Sequence, residues 1–72
     1  MEPLPEKPHR LRLGRNIRIL RTQRNISLHK FGMMIDVDFT HLSNIENGKT
    51  NATVDVLEKI DEGLGVDIRD LF

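Results

Sequence analysis

The three histidines, His9, His29 and His41, are the first residues to test for chemistry, and they are scattered along the chain. A zinc site needs ligands clustered at defined short spacing. Cysteine is absent, so neither thiolate metal sites nor disulfides are expected. No nucleophile is spaced to meet a base, and no glycine loop is built to cradle a phosphate. His29 and His41 have no identifiable partner in sequence. A chain of 72 residues also leaves little room for a substrate cleft. The expectation is a binding protein rather than an enzyme, with no cofactor and no metal.

The arginines are more informative. Arg12, Arg15, Arg18, Arg21 and Arg24 recur at every third position. The formal net charge is zero, yet the charges are segregated. Residues 1–30 carry eight basic residues against two acids, and residues 31–72 carry three against nine. The basic half suits steering toward phosphate, and the acidic half suits solvent or a partner. The plainer alternative is that basic and acidic helices neutralise one another in the fold.

These side chains need elements to position them. Pro3, Pro5 and Pro8 and a lack of apolar periodicity mark residues 1–9 as a disordered or extended arm. Residues 10–72 read as one domain, small in core and short of stability to spare. From Arg10 to Arg24, Leu13, Ile17 and Leu20 recur at helical steps. Asn25-Ile26 breaks that pattern. Ser27 then suits the N-cap of a helix from Leu28 to Met34, and Asp38 that of a helix from Phe39 to Asn47. Ile35-Asp36-Val37 forms the turn between them. Gly48 is expected to close the third helix in the left-handed region. Thr53 caps a fourth helix, from Val54 to Gly63, with Val54, Leu57, Ile60 and Leu64 on its inner face. Gly65 ends it, and Asp67 caps a last segment from Ile68 to Phe72. The fold class is all-α, a compact five-helix bundle without strands. A connector of about four residues joins the second and third helices, the size a helix-turn-helix uses.

Five stretches carry a family resemblance that covers the chain from Gly14 to Phe72. They are Ile17 to Arg21, Ile26-Ser27, Val37-Asp38, Leu42 to Lys49 (Leu-Ser-Asn-Ile-Glu-Asn-Gly-Lys), and Leu64-Gly65-Val66 with Asp70-Leu71-Phe72. In combination they resemble the XRE-like helix-turn-helix family, which includes Cro and lambda-type repressors. The resemblance implies a lambda-repressor-like fold and sequence-specific binding of double-stranded DNA by a small transcriptional regulator, a repressor. The third helix would enter the major groove. Phe39, Thr40, Ser43 and Asn44 would then face bases. Asn44 offers the paired donor and acceptor that adenine presents, Thr40 and Ser43 suit either kind of edge, and Phe39 suits a thymine methyl. Leu42 and Ile45 would point inward. Ser27, Asn47, Gly48 and Lys49 would meet phosphate, Gly48 through a turn that exposes backbone N–H groups. Arg21 and Glu46 would form a partly buried ion pair that orients the recognition helix.

The same resemblance implies a homodimer, at least on DNA, with Thr50, Asn51, Ala52, Thr53 and Val54 as its contact and Leu71 and Phe72 closing the core. The rival reading is a protein-binding module on the same scaffold. It would use Leu28, Met33, Met34 and Phe39, apolar where the family is often polar, with Leu28 or Met34 partly buried. No apolar run reaches the length of a membrane span and no signal peptide opens the chain, so a cytoplasmic location and no membrane partner are expected.

Overall fold

Every helix after the first begins on a side chain that replaces a missing backbone acceptor. Ser27 Oγ accepts from the Lys30 N–H at 3.1 Å, and Thr53 Oγ1 from the Val56 N–H at 3.2 Å. Asp38 Oδ2 accepts from Thr40 at 3.0 Å and from His41 at 3.4 Å. The computed structural model describes residues 8–72. Its elements are α1 (Pro8–Gln23), α2 (Leu28–Ile35), α3 (Phe39–Glu46), α4 (Val54–Leu64) and a 3-10 turn (Ile68–Leu71). The described residues contain no strand.

Helix ends shift by one residue from expectation at Gln23, Ile35, Glu46 and Leu64, so that Ile35, expected in the turn, ends α2, and two elements differ more. The first helix starts at Pro8, where the ring's fixed φ suits a first turn whose N–H groups are unpaired anyway. Residues 1–7 of the expected arm lie outside the described residues. The fifth helix is instead a single 3-10 turn, so the bundle has four α-helices. Four residues are too few for α-helical bonds to accumulate, and a reciprocal cap satisfies them better. Asp67 Oδ1 accepts from the Arg69 N–H at 2.9 Å, and Asp70 Oδ2 accepts from the Asp67 N–H at 3.1 Å. The bond to the Arg69 backbone, and then those to its guanidinium, hold the Asp67 carboxyl below its ordinary range. A depressed folded value stabilises above the ordinary aspartate range and is lost as pH falls through it.

The helix ends repeat one device. Asn25 and Asp36 are left-handed at φ 56° and 57°, and Gly48 and Gly65 at 70°. In each case the next residue's N–H reaches five residues back to close the helix: Ile26 to Arg21, Val37 to Gly32, Lys49 to Asn44 and Val66 to Asp61, at 2.9–3.2 Å. Three of these next residues, Ile26, Val37 and Val66, are apolar and pack against the core. Each is followed at once by the next cap. Four residues beyond each cap stands a buried apolar residue: Phe31, Leu42 or Leu71. One side chain therefore both finishes a helix and staples the start of its successor.

The core gathers Leu13 and Ile17 of α1, Phe31 and Ile35 of α2, Leu42 and Ile45 of α3, and Leu57, Ile60 and Leu64 of α4, with Leu71 closing the end. Leu20 is half-buried beside them. Val54 was expected on the inner face of α4 and is instead 65% exposed. It stands at the margin of the stripe formed by Leu57, Ile60 and Leu64, in the first turn, and half-buried Val56 packs inward. Phe72 is 52% exposed, so only Leu71 of the terminal pair closes the core.

Helix α1 crosses α3 with the two backbones close together at Gly14. A Cβ on Gly14 would collide with the backbone carbonyls of Ile45 and Glu46. About two turns farther along the same face, Arg21 Nε and Nη2 donate to Glu46 Oε2 and Oε1 at 2.8 and 2.9 Å, and Nη1 donates to the Ile26 carbonyl at 2.7 Å. Both partners are buried. Arg24 bridges two helix ends, donating to the Leu20 carbonyl at 2.8 Å and the Leu64 carbonyl at 2.9 Å. Asn16 ties the middle of α1 to the Leu71 carbonyl at 3.0 Å.

Two stability predictions follow from the α1–α3 contact. Arg21→Ala strands a buried carboxylate and should cost about 3 kcal/mol or more, whereas Arg18→Ala on the exposed face should change stability by less than about 0.5 kcal/mol. Denaturant melts of the two variants compare them directly, and similar midpoints would refute the role of the pair. Gly14→Ala raises helix propensity by about 1 kcal/mol, yet it should lower the melting temperature, because the new methyl meets backbone that cannot step aside. A higher midpoint would show that the helices can part without cost.

Candidate nucleic-acid interface

Helix α3 is fixed from behind and open in front. Leu42, Ile45 and Glu46 are buried on its inner side. Phe39 and Thr40 are exposed on the other side, and Ser43 and Asn44 are half-buried along the same row. Among the described residues, the Asn44 side-chain amide has no hydrogen-bond partner, so its donor and acceptor are both available. Ser43 is more constrained, because Asn47 Nδ2 lies 3.5 Å from its hydroxyl and donates to its carbonyl at 2.9 Å. The row is thus an aromatic ring, two hydroxyls and an amide on a helix that is locked in place. No arginine, lysine or glutamine stands on α3.

The residues expected at phosphate divide. Ser27 is exposed at the start of α2; its oxygen accepts the capping bond, and its O–H is left to donate outward. Lys49 is exposed and forms no ion pair among the described residues. Asn47 is exposed, but its amide is folded back on α3. Gly48 does not fit the expectation. It is buried, and its N–H is spent on the Ile45 carbonyl at 3.1 Å, while the Lys49 N–H is spent on Asn44 at 2.9 Å. Closing the helix consumes the donors that the turn was expected to expose. Gly48 is needed for shape: at φ 70° a Cβ would also press on Leu11 Cδ2 at 2.6 Å.

The loop after α3 leaves Asn51, Thr53 and Val54 exposed and Thr50 and Ala52 half-buried. The apolar residues of the rival reading differ in exposure. Leu28 is half-buried, and Met33, Met34 and Phe39 are exposed. Met33 shares a cleft with Phe39, whereas Met34 lines a separate depression beside Lys59 and Glu62.

Sequence reasoning missed one pairing at this surface. The rings of His29 on α2 and Phe39 on α3 lie 4.9 Å apart between centroids, tilted by 44°. Ten positions separate them in sequence, so no helical spacing signals the contact. Among the described residues no three His, Cys, Asp or Glu side chains are grouped to hold a metal ion, and no helix is long and apolar enough to cross a membrane.

Residues 17–71 match the family described as helix-turn-helix. Control protein C.MunI of Mycoplasma sp is 41% identical over 64 residues, which span 88% of this chain and 86% of that protein. Control protein C.BamHI of Bacillus amyloliquefaciens is 38% identical over 63 residues, 86% and 78% of the two chains. The crystal structure of the restriction-modification controller protein C.AhdI from Aeromonas hydrophila superposes with a TM-score of 0.86 over 89% of this chain and 97% of that one; at 23% identity this is a likeness of fold. The matched span runs from the middle of α1 through the 3-10 turn and includes both members of the ion pair and all of α3. The chain belongs to the helix-turn-helix family of DNA-binding transcription regulators, in its XRE branch.

Proposed function

We propose that the chain is a sequence-specific transcriptional regulator that reads double-stranded DNA with α3 in the major groove and represses by occupying the site. One observation carries the reading: α3 is locked from behind by Leu42, Ile45 and Glu46 while its front presents Phe39, Thr40, Ser43 and Asn44. A helix held this way is preorganised, and a groove presents edges that match an amide, hydroxyls and an apolar ring. Ser27 and Lys49 are the phosphate anchors. Exposed Arg12, Arg15 and Arg18 add a basic field that steers the molecule toward the duplex. The names of the relatives, two control proteins and a restriction-modification controller, support control of restriction–modification genes as the biological setting.

One domain of this size reads only a few base pairs. The working form is therefore a two-fold dimer with recognition helices about 34 Å apart on a roughly palindromic site. The segment from Thr50 to Val54 suits the contact, because its residues are small and uncharged and Val54 presents an exposed side chain at the start of α4.

Selection from a random duplex pool at two salt concentrations tests the function. Enrichment of a palindromic sequence, with affinity falling steeply as salt rises, is expected. No enrichment would end the proposal. On the enriched duplex, Asn44→Ala should cost roughly 1–3 kcal/mol and flatten preference at one position per half-site, while Lys49→Ala should weaken specific and random duplexes alike. Equal losses on both duplexes for Asn44→Ala would remove its role at the bases. Sedimentation should find two chains per palindrome at saturation; one chain per site would rule out the dimer.

A further inference from the structure

Phe39 is not among the residues of the core. It is the first residue of α3 and 44% exposed. The residues that staple α3 to the core are its neighbours, half-buried Val37 before the cap and buried Leu42 after it. An exposed aromatic ring at this point costs solvation and offers no hydrogen bond. Yet it is not left loose, because His29 of α2 stands against it at 4.9 Å, inside the range of a favourable aromatic pair. The contact crosses the turn of the helix-turn-helix, so it fixes the ring relative to both helices.

The surroundings narrow what the ring can meet. Asp36, and Asp38 with its carboxylate capping α3, line the same cleft as His29 and Phe39. Carboxylates repel phosphate, so this end of α3 is unsuited to the DNA backbone and suited to base edges. Among those edges in the major groove, a side chain without donor or acceptor has one partner, the C5-methyl group of a pyrimidine. Thymine carries that group, and so does 5-methylcytosine.

We infer that Phe39 reads a pyrimidine C5-methyl group in the major groove and that His29 is its positioning residue, holding the ring in the reading pose before DNA arrives. The inference rests on α3 being the recognition helix. His29 acts by removing rotational freedom that Phe39 would otherwise lose on binding.

The test uses the full chain and the duplex enriched from the random pool, at low salt so that phosphate contacts keep every variant bound. Each thymine is replaced in turn by uracil, and each cytosine by 5-methylcytosine. At one position per half-site the methylated base should bind about fourfold tighter than its unmethylated counterpart, the value of burying one methyl group. Whether that position responds to uracil or to 5-methylcytosine identifies the base. Phe39→Ala should bring the ratio to about 1. His29→Ala should lower it partway, and His29→Phe should restore it. Met34→Ala, on the separate depression, should leave it unchanged. Thermal melts should show the variants folded. A ratio near 1 at every position in the parent chain, or a full ratio surviving Phe39→Ala, overturns the methyl contact. A full ratio surviving His29→Ala overturns the positioning role. A chain that enriches no duplex overturns the proposed function as well, whereas selective binding without a methyl effect overturns this inference alone.

Discussion

Arg21 carries a guanidinium with three nitrogens, and the structure directs all three at two parts of the chain. Two go to the Glu46 carboxylate, the last residue of α3, and one goes to the Ile26 carbonyl in the turn before α2. A buried guanidinium must be matched in this way, because an unpaired charge in the interior costs several kcal/mol. The match fixes distance and rotation together, since a planar fork accepts a carboxylate in few orientations. Helix α3 is thus oriented by its hidden face, with Gly14 allowing the two backbones to approach closely enough for the fork to reach. The row from Phe39 to Asn44 points outward because of a contact on the opposite side of its own helix.

The connectors do the complementary work. Asn25-Ile26-Ser27, Asp36-Val37-Asp38 and Gly65-Val66-Asp67 each place a left-handed residue, then an apolar residue, then a cap. The left-handed residue turns the chain, the apolar one anchors the turn in the core, and the cap starts the next element. Each step is worth on the order of 1 kcal/mol. Together they set the angle between successive helices with no long loop. A domain this small has little buried area to lose, so the economy matters.

Much of this was legible from residue types. The caps Ser27, Asp38, Thr53 and Asp67 stood out because small polar side chains preceded apolar periodicity, and all four cap elements in the structure. Asp36 takes the left-handed conformation at a turn, which a short polar side chain tolerates. The failures lie where the answer depended on tertiary geometry. Val54 fits the inner-face spacing, yet a first-turn residue has no neighbouring turn to hold it against the core. The N–H of Gly48 is spent inside the helix end, which depends on the closing geometry of the turn rather than on glycine itself. Arg24 looked like one more arginine in a basic series, and only the fold brings the Leu64 carbonyl to it. His29 lacked a partner in sequence because its partner lies across a turn. At the candidate interface, the assignment of Phe39, Thr40, Ser43 and Asn44 to one row came from the family resemblance, since short polar residues carry no distinctive pattern.

The division of labour on α3 bears on how such a protein changes over generations. Its structural bonds are made by Leu42, Ile45 and Glu46 and by backbone groups, while the side chains of Thr40 and Asn44 contribute little to the fold. Replacements at such surface positions usually alter stability by no more than about 0.5 kcal/mol. On the proposed reading of α3, a lineage is free to try new target sequences one side chain at a time, without first acquiring stability to spend on the attempt. Divergence of address with retention of scaffold is the course that this architecture makes cheapest.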